Sequence, residues 1–199
     1  NKGIEKTVSY ESGTKLGPKK IIKASHQVEL FDEELKYEPY KKFNLKTLKI
    51  DIPKESLNNA LKHLTKTITQ VLNMKCFPLT LGGEHSITPA IIKSFKNKFS
   101  KLTIIQIDAH ADLRNQYLGN KNSHATAMRR CLDNKNVDII AIGIRNICKE
   151  EFDFAKKNRK KVKIFWAKDI SKQSVEKIKN LIKNKNVYLT FDVDGFDSS

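Results

Sequence analysis

The sequence predicts an α/β fold, a mainly parallel sheet flanked by helices on both faces. Three observations carry this reading. From residue 55 onward, segments with helical spacing alternate with strand-like runs, the order that builds parallel sheets. The runs LTIIQID at 102–108 and VDIIAIG at 137–143 are short and β-branched, as central parallel strands are. Finally, no low-complexity linker or internal repeat interrupts the 199 residues, a length that suits one buried core, so 1–199 is read as a single domain.

Taken in order, the first 50 residues offer only loop markers, Gly13 and the pair Gly17-Pro18. SLNNALKHLTKTITQVLN at 56–73 sets Leu57, Leu61, Leu64, Ile68, Val71 and Leu72 at three- and four-residue spacing, one stripe of an amphipathic helix. Residues 77–81 read as a buried strand ending at Gly82-Gly83. Helices are expected over 86–95, 124–132, 150–158 and 175–183, and strands over 102–108, 137–143, 162–166 and 187–192.

Composition narrows the function classes. The longest apolar runs fall far short of the roughly 18 residues a membrane span needs, so no bilayer crossing is expected. No apolar stretch follows the basic residues near the start, and three cysteines without a C-x-x-C pair give neither a disulfide framework nor a zinc ribbon; a cytoplasmic protein is the default. A formal charge of +16 suggests phosphate contacts, but the 33 lysines are spread over nearly every expected helix instead of forming a patch. Solvated helix faces account for them, and no nucleic-acid partner is expected.

Chemistry concentrates where expected strands end. Gly82-Gly83-Glu84-His85, Asp108-Ala109-His110-Ala111-Asp112 and Asp192-Val193-Asp194 each follow one, and ligands in parallel sheets bind outside the carboxyl ends of strands. If those strands are neighbours, the three clusters face one crevice. Residues two apart in an extended chain point the same way, which would bring Asp108, His110 and Asp112 together, and likewise Asp192 and Asp194. Four carboxylates sharing a site would repel one another unless cations were present. Oxygen-rich ligands with two imidazoles and no thiolate suit harder ions such as manganese, with iron, cobalt and nickel also open. Six side chains exceed the needs of one ion that keeps a position for water; two ions about 3.5 Å apart and sharing carboxylates use the same set. Any one of these clusters alone is more often a turn, a helix cap or a surface pair.

Together the motifs carry a resemblance. GGEHSIT at 82–88, DAHADLR at 108–114, SHATAMRR at 123–130 and FDVDGFD at 191–197 resemble, in order, the motifs of the ureohydrolases, the arginase and agmatinase family, and SYESGTKLGPKKI at 9–21 resembles the loop near their start. The resemblance implies an arginase-like three-layer α/β/α fold and two manganese ions. His85, Asp108, Asp112 and Asp192 would hold one ion, and Asp108, His110, Asp192 and Asp194 the other. It implies hydrolysis of a guanidinium group to urea and an amine by a hydroxide bridging the metals, oriented by Asp112. His124 would shuttle a proton to the departing amine, an imidazole being suited to that range; beside Ser123, a candidate cap, it could otherwise be a helix-start residue. Glu84 is either support for the ligands or a helix cap, and His26 and His63 are left as surface or structural residues.

The stretches DLRNQYLG and SHATAMRR look closest to bacterial and archaeal agmatinases, which implies agmatine cleaved to putrescine and urea, with arginase and guanidinobutyrase as the alternatives. Arg114 stands where the arginase branch carries asparagine, and could be a substrate selector or pair with a nearby acid. Ser198 replaces the family's proline after Asp197. Members are trimers or hexamers, so a homo-oligomer is expected. They also begin earlier and continue further, so the chain is read as truncated at both ends, with its last strand left apolar and uncovered. Two readings of other classes remain, a two-metal phosphoesterase and a basic nucleic-acid-binding module.

Overall fold

The computed structural model describes residues 4–8, 12–48, 56–182 and 186–196. Strands β1 (Leu102–Ile107), β2 (Val137–Ile144), β3 (Val162–Trp166) and β4 (Val187–Phe191) form one parallel sheet in the order β3-β2-β1-β4. Six helices accompany it among the described residues: α1 (Gly17–Ser25), α2 (Leu57–Asn73), α3 (Thr88–Lys96), α4 (Ala127–Cys131), α5 (Lys149–Lys157) and α6 (Lys172–Leu181). This is the expected α/β fold.

The register explains the core. Leu102 pairs with Val137 and Ile104 with Ile139, so their side chains share a face. Ile92 of α3, Met128 and Cys131 of α4 and Ala155 of α5 close over that face. The connections β1–α4–β2 and β2–α5–β3 step in one direction, whereas β3–α6–β4 runs back past both; the right-handed rule for parallel crossovers then sets α6 against the opposite face. On β4 that opposite face, carrying Val187, Leu189 and Phe191, is exposed.

Helix α2 follows its spacing. Ser56 caps it by accepting from the Asn59 N–H at 3.3 Å; Ala60 is buried, and Leu64, Ile68 and Leu72 pack with Ala90 and Ile91 of α3. The remaining helices and strands begin and end within a few residues of their expected bounds.

Two expectations fail. Residues 77–81 form no strand: Phe77 is 93% and Leu79 78% exposed, and the segment has no ladder partner. Pro78 has no N–H to give to a neighbouring strand, which disfavours a ladder there. Gly17-Pro18 is not a loop but the first turn of α1, where proline loses no helical hydrogen bond. Residues 9–11 of the early motif, Lys183 of the helix expected over 175–183, and Asp197 and Ser198 lie outside the described residues. His26 and His63 are exposed. Cys76, Cys131 and Cys148 are free, and no described helix is long and apolar enough to cross a membrane.

Candidate metal centre

β1 and β4 are hydrogen-bonded neighbours, which brings the chain after Ile107 against the chain after Phe191. The first continues into 108–112 and the second into a turn over Val193–Gly195, closed by Asp192 accepting from the Asp194 N–H. Gly195 lies so near β1 that a Cβ on it would meet the Asp108 nitrogen at 3.0 Å and the Ile107 Cγ2 at 3.1 Å. His85 arrives separately, from a single 3-10 turn ahead of α3.

These elements converge on two overlapping groups of ligand atoms. In one, atoms of His85, Asp108 and Asp192 lie within 4.8 Å of one another; in the other, atoms of Asp108, His110 and Asp194 do. Asp108 belongs to both. Asp112 joins the first through its Oδ2, 2.7 Å from His85 Nδ1, and Asp108 Oδ2 lies 3.2 Å from the same nitrogen. His110 Nδ1 lies 3.0 Å from Asp194 Oδ2. The two-residue alternation expected for 108–112 does not persist, because β1 ends at Ile107; Asp112 reaches the site through a left-handed backbone, φ 51°, which an aspartate tolerates better than most residues.

The surroundings fit a pair of divalent cations. Both imidazoles aim Nδ1 at carboxylates while their other nitrogen is held, His85 Nε2 at 3.0 Å from Thr190 Oγ1 and His110 Nε2 at 3.2 Å from the Asn146 amide. Holding the outer nitrogen is how proteins orient metal-binding imidazoles. Gln106 Nε2 donates to Asp108 Oδ2 at 2.9 Å and to the His110 carbonyl at 3.0 Å. Sequence reading missed Gln106 and Thr190, although each stands two residues before a cluster aspartate, on the same side of its strand.

Charge at the site is finely balanced. Burial pulls the His85 imidazole down, but hydrogen bonds and charge from Asp108 and Asp112 outweigh it and hold it well above its ordinary value. His110 is raised to about 9 by its hydrogen bond to Asp194, which in turn is lowered to about 2 by that bond. Burial raises both Asp112 and Asp192. Acids that burial pushes toward neutrality beside imidazoles that must carry protons are what cations would relieve.

A cleft of about 330 Å³ opens over the centre, lined by Asp108, His110, Asp112, Asp192 and Asp194, and by His124 on its flank. His85 is buried and does not line it. Ser123 forms no helix cap; its hydroxyl lies 3.3 Å from His124 Nδ1. Glu84 likewise makes no cap bond and is buried, accepting from Thr7 and Ser86. Arg114 also lines the cleft, its guanidinium 5.4 Å from the Tyr117 ring centre and its Nε 4.0 Å from Glu151 Oε2.

Known proteins resemble this chain in sequence and in fold. The family model described as Arginase family matches residues 3–199. N(1)-aminopropylagmatine ureohydrolase of Synechocystis sp. is 31% identical over 207 residues, covering 97% of this chain, and the agmatinase of Bacillus anthracis is 32% identical over 198 residues, covering 96%. The chain spans 65% of the length of each of these relatives. The crystal structure of agmatine ureohydrolase of Thermoplasma volcanium superposes with a TM-score of 0.82 at 28% identity, over 96% of this chain and 64% of that one. By this match over nearly all of its sequence, the chain belongs to the arginase family.

Proposed function

We propose that this chain carries the active centre of a two-metal ureohydrolase whose substrate is agmatine, released as putrescine and urea. The observation that supports it above all is the pair of ligand groups sharing Asp108 at the adjoining ends of β1 and β4. His85, Asp108, Asp112 and Asp192 would hold one manganese ion, and Asp108, His110, Asp192 and Asp194 the other. When bound, two such ions polarise a guanidinium and lower the pKa of water into the neutral range.

The protein's own residues supply the rest. Asp112, buried beside His85, is an acceptor that orients the attacking oxygen by a hydrogen bond. The cleft over these ligands admits the planar guanidinium and holds its carbon against the attack. As the bond from that carbon to the alkyl nitrogen breaks, His124 gives a proton to the departing amine and the hydroxyl proton of the tetrahedral intermediate passes to Asp112 as the urea carbonyl forms, so that amine and urea both leave neutral and the amine takes its further proton from solvent. A cytoplasmic homo-oligomer, trimeric or hexameric, is part of the same reading.

Arg114 favours a second substrate. Agmatine carries an ammonium at its far end, which a guanidinium in the cleft repels, whereas the carboxylate of guanidinobutyrate would be attracted. The guanidinobutyrase of Pseudomonas aeruginosa is 29% identical. Against this, Glu151 and Tyr117 already engage the Arg114 side chain.

The test is urea release by the full-length, manganese-loaded protein from agmatine, guanidinobutyrate and arginine, with a phosphate monoester alongside. Agmatine is expected to turn over fastest and chelation to abolish the reaction. Turnover of the phosphate ester without urea from any guanidinium compound would overturn the proposal.

A further inference from the structure

Thr7 lies 117 residues from His124 in sequence, yet it touches that residue twice. Its Oγ1 accepts from the His124 backbone N–H at 3.1 Å and stands 3.3 Å from His124 Nδ1. On its other side the same hydroxyl bonds to Glu84 Oε2. Glu84 is 5% exposed and gathers four donors, the Lys6 and Thr7 N–H groups and the Thr7 and Ser86 hydroxyls. A carboxylate accepts all four, since it has only lone pairs to offer. The segment can dock this closely because Gly83 has no side chain: a Cβ there would fall 2.2 Å from the Ile4 carbonyl oxygen, which the Glu84 N–H reaches at 3.1 Å.

A threonine hydroxyl has one proton, and here Glu84 takes it. Toward His124 the oxygen therefore presents lone pairs alone, so a bare Nδ1 at 3.3 Å would face them without a hydrogen between, while a protonated Nδ1 makes a bond. Ser123 Oγ, 3.3 Å from the same nitrogen, can donate or accept and does not decide the matter. Tyr117 packs edge-on against the ring, 5.5 Å between centres, which restrains its rotation.

We infer that Thr7, anchored by Glu84, is a positioning residue for His124: it holds the neutral imidazole in the Nδ1–H tautomer and so leaves Nε2 as the nitrogen that takes up and gives away the proton. The catalytic side of this inference rests on the proton-shuttle role proposed above, whereas the tautomer does not. The N-terminal segment thereby becomes part of the site, coupled to the GGEH motif that supplies His85.

The test compares full-length wild type with Thr7→Val, close in shape without the hydroxyl, and Thr7→Ser, which keeps it. Ring ¹⁵N shifts of labelled histidine, recorded on protein loaded with diamagnetic magnesium and assigned with His124→Asn, report which nitrogen carries the proton. Wild type and Thr7→Ser are expected to show protonated Nδ1 and bare Nε2, and Thr7→Val to lose that preference. With manganese and the best guanidinium substrate, Thr7→Val should lower kcat by about 10- to 100-fold with KM and metal content unchanged, within the usual range for general acid–base catalysis, and Thr7→Ser should restore it. A wild-type ring protonated on Nε2, or a Thr7→Val protein with the wild-type ring pattern, overturns the inference. So does equal loss of metal in both variants, which marks a structural role. A wild type that releases no urea refutes the proposed function instead and leaves the ring measurement standing.

Discussion

Asp108 is the side chain on which the candidate centre turns, since it is the residue shared by the two groups of ligand atoms that lie together among the described residues; Asp192, which the proposed assignment also gives to both ions, lies in only one of them. Asp108→Asn is therefore expected to weaken both metal sites, while Asp194→Asn weakens one and leaves the other; metal per protein after dialysis, with binding isotherms, separates the two patterns. Equal losses in both variants would mean the groups are not distinct sites. Gly195 makes that geometry possible, because the turn it ends lies against Asp108. Gly195→Ala forces a contact of 3.0 Å onto backbone that cannot swing away, and by comparison with overpacked cores it should cost about 1–3 kcal/mol in chemical denaturation and lower metal content. In chelator-treated protein, the His110–Asp194 pair supplies a pH signature. His110 is raised to about 9, so its contribution is complete below the ordinary value of about 6.5 and disappears as pH rises through about 9. Asp194 is lowered to about 2, so its contribution is present above the ordinary carboxylate range and is lost as pH falls toward about 2. His110→Gln should thus reduce metal-free stability at pH about 6 and make little difference above about 10, measured by urea unfolding. A variant as stable as wild type at pH about 6 would remove the pair from the account.

At the scale of elements, physical constraint decided what could be read in advance. β1 and β2 were legible because strands buried within a sheet leave continuous β-branched runs, and α2 because its apolar residues recur on one face. Residues 77–81 have similar composition but make no ladder, and the informative residue was Pro78, whose missing N–H the apolar pattern obscured. The candidate ligand clusters were legible because charged residues directly follow apolar runs, a local signal that held even where the run before Gly82 formed no strand. Thr7 gave none, its partners Glu84 and His124 being brought to it only by the fold, and Gln106 was hidden inside a strand otherwise read for its apolar residues. Helix α2 tests how far its stripe supports the molecule. Ile68 is 4% exposed and packs in the cluster with Leu64, Leu72 and Ile91, so Ile68→Ala should cost about 2–5 kcal/mol, read from urea denaturation. Ser56→Ala, which removes only the cap, should cost about 1 kcal/mol. If the cap outweighs the core residue, α2 is held mainly by its own end and not by packing on α3.

For the whole molecule, the governing quantity is charge. A formal +16 distributed over most helices produces self-repulsion that no compact arrangement avoids. The ion pairs among the described residues do little to offset it, because those outside the candidate centre are mostly exposed pairs between close sequence neighbours, such as Lys149–Asp153 and Lys179–Glu176. Pairs of that kind contribute about 0–1 kcal/mol each and weaken as salt is added. Repulsion among many like charges weakens too, and over longer distances, since the screening length falls from about 30 Å at 0.01 M salt to about 10 Å at 0.1 M. The two effects oppose each other, and the excess of 38 basic over 22 acidic residues decides the sign. Sodium chloride raised over that range should therefore increase the thermal midpoint by a few degrees, as expected for roughly 1 kcal/mol in a domain of this size. A falling midpoint would show that specific ion pairs dominate. The same titration distinguishes diffuse charge from a nucleic-acid surface: lysines scattered over solvated faces should give DNA retention that is weak already at about 0.1 M salt, whereas a formed phosphate-binding face would hold DNA there and release it only at higher salt, with a steep dependence on concentration.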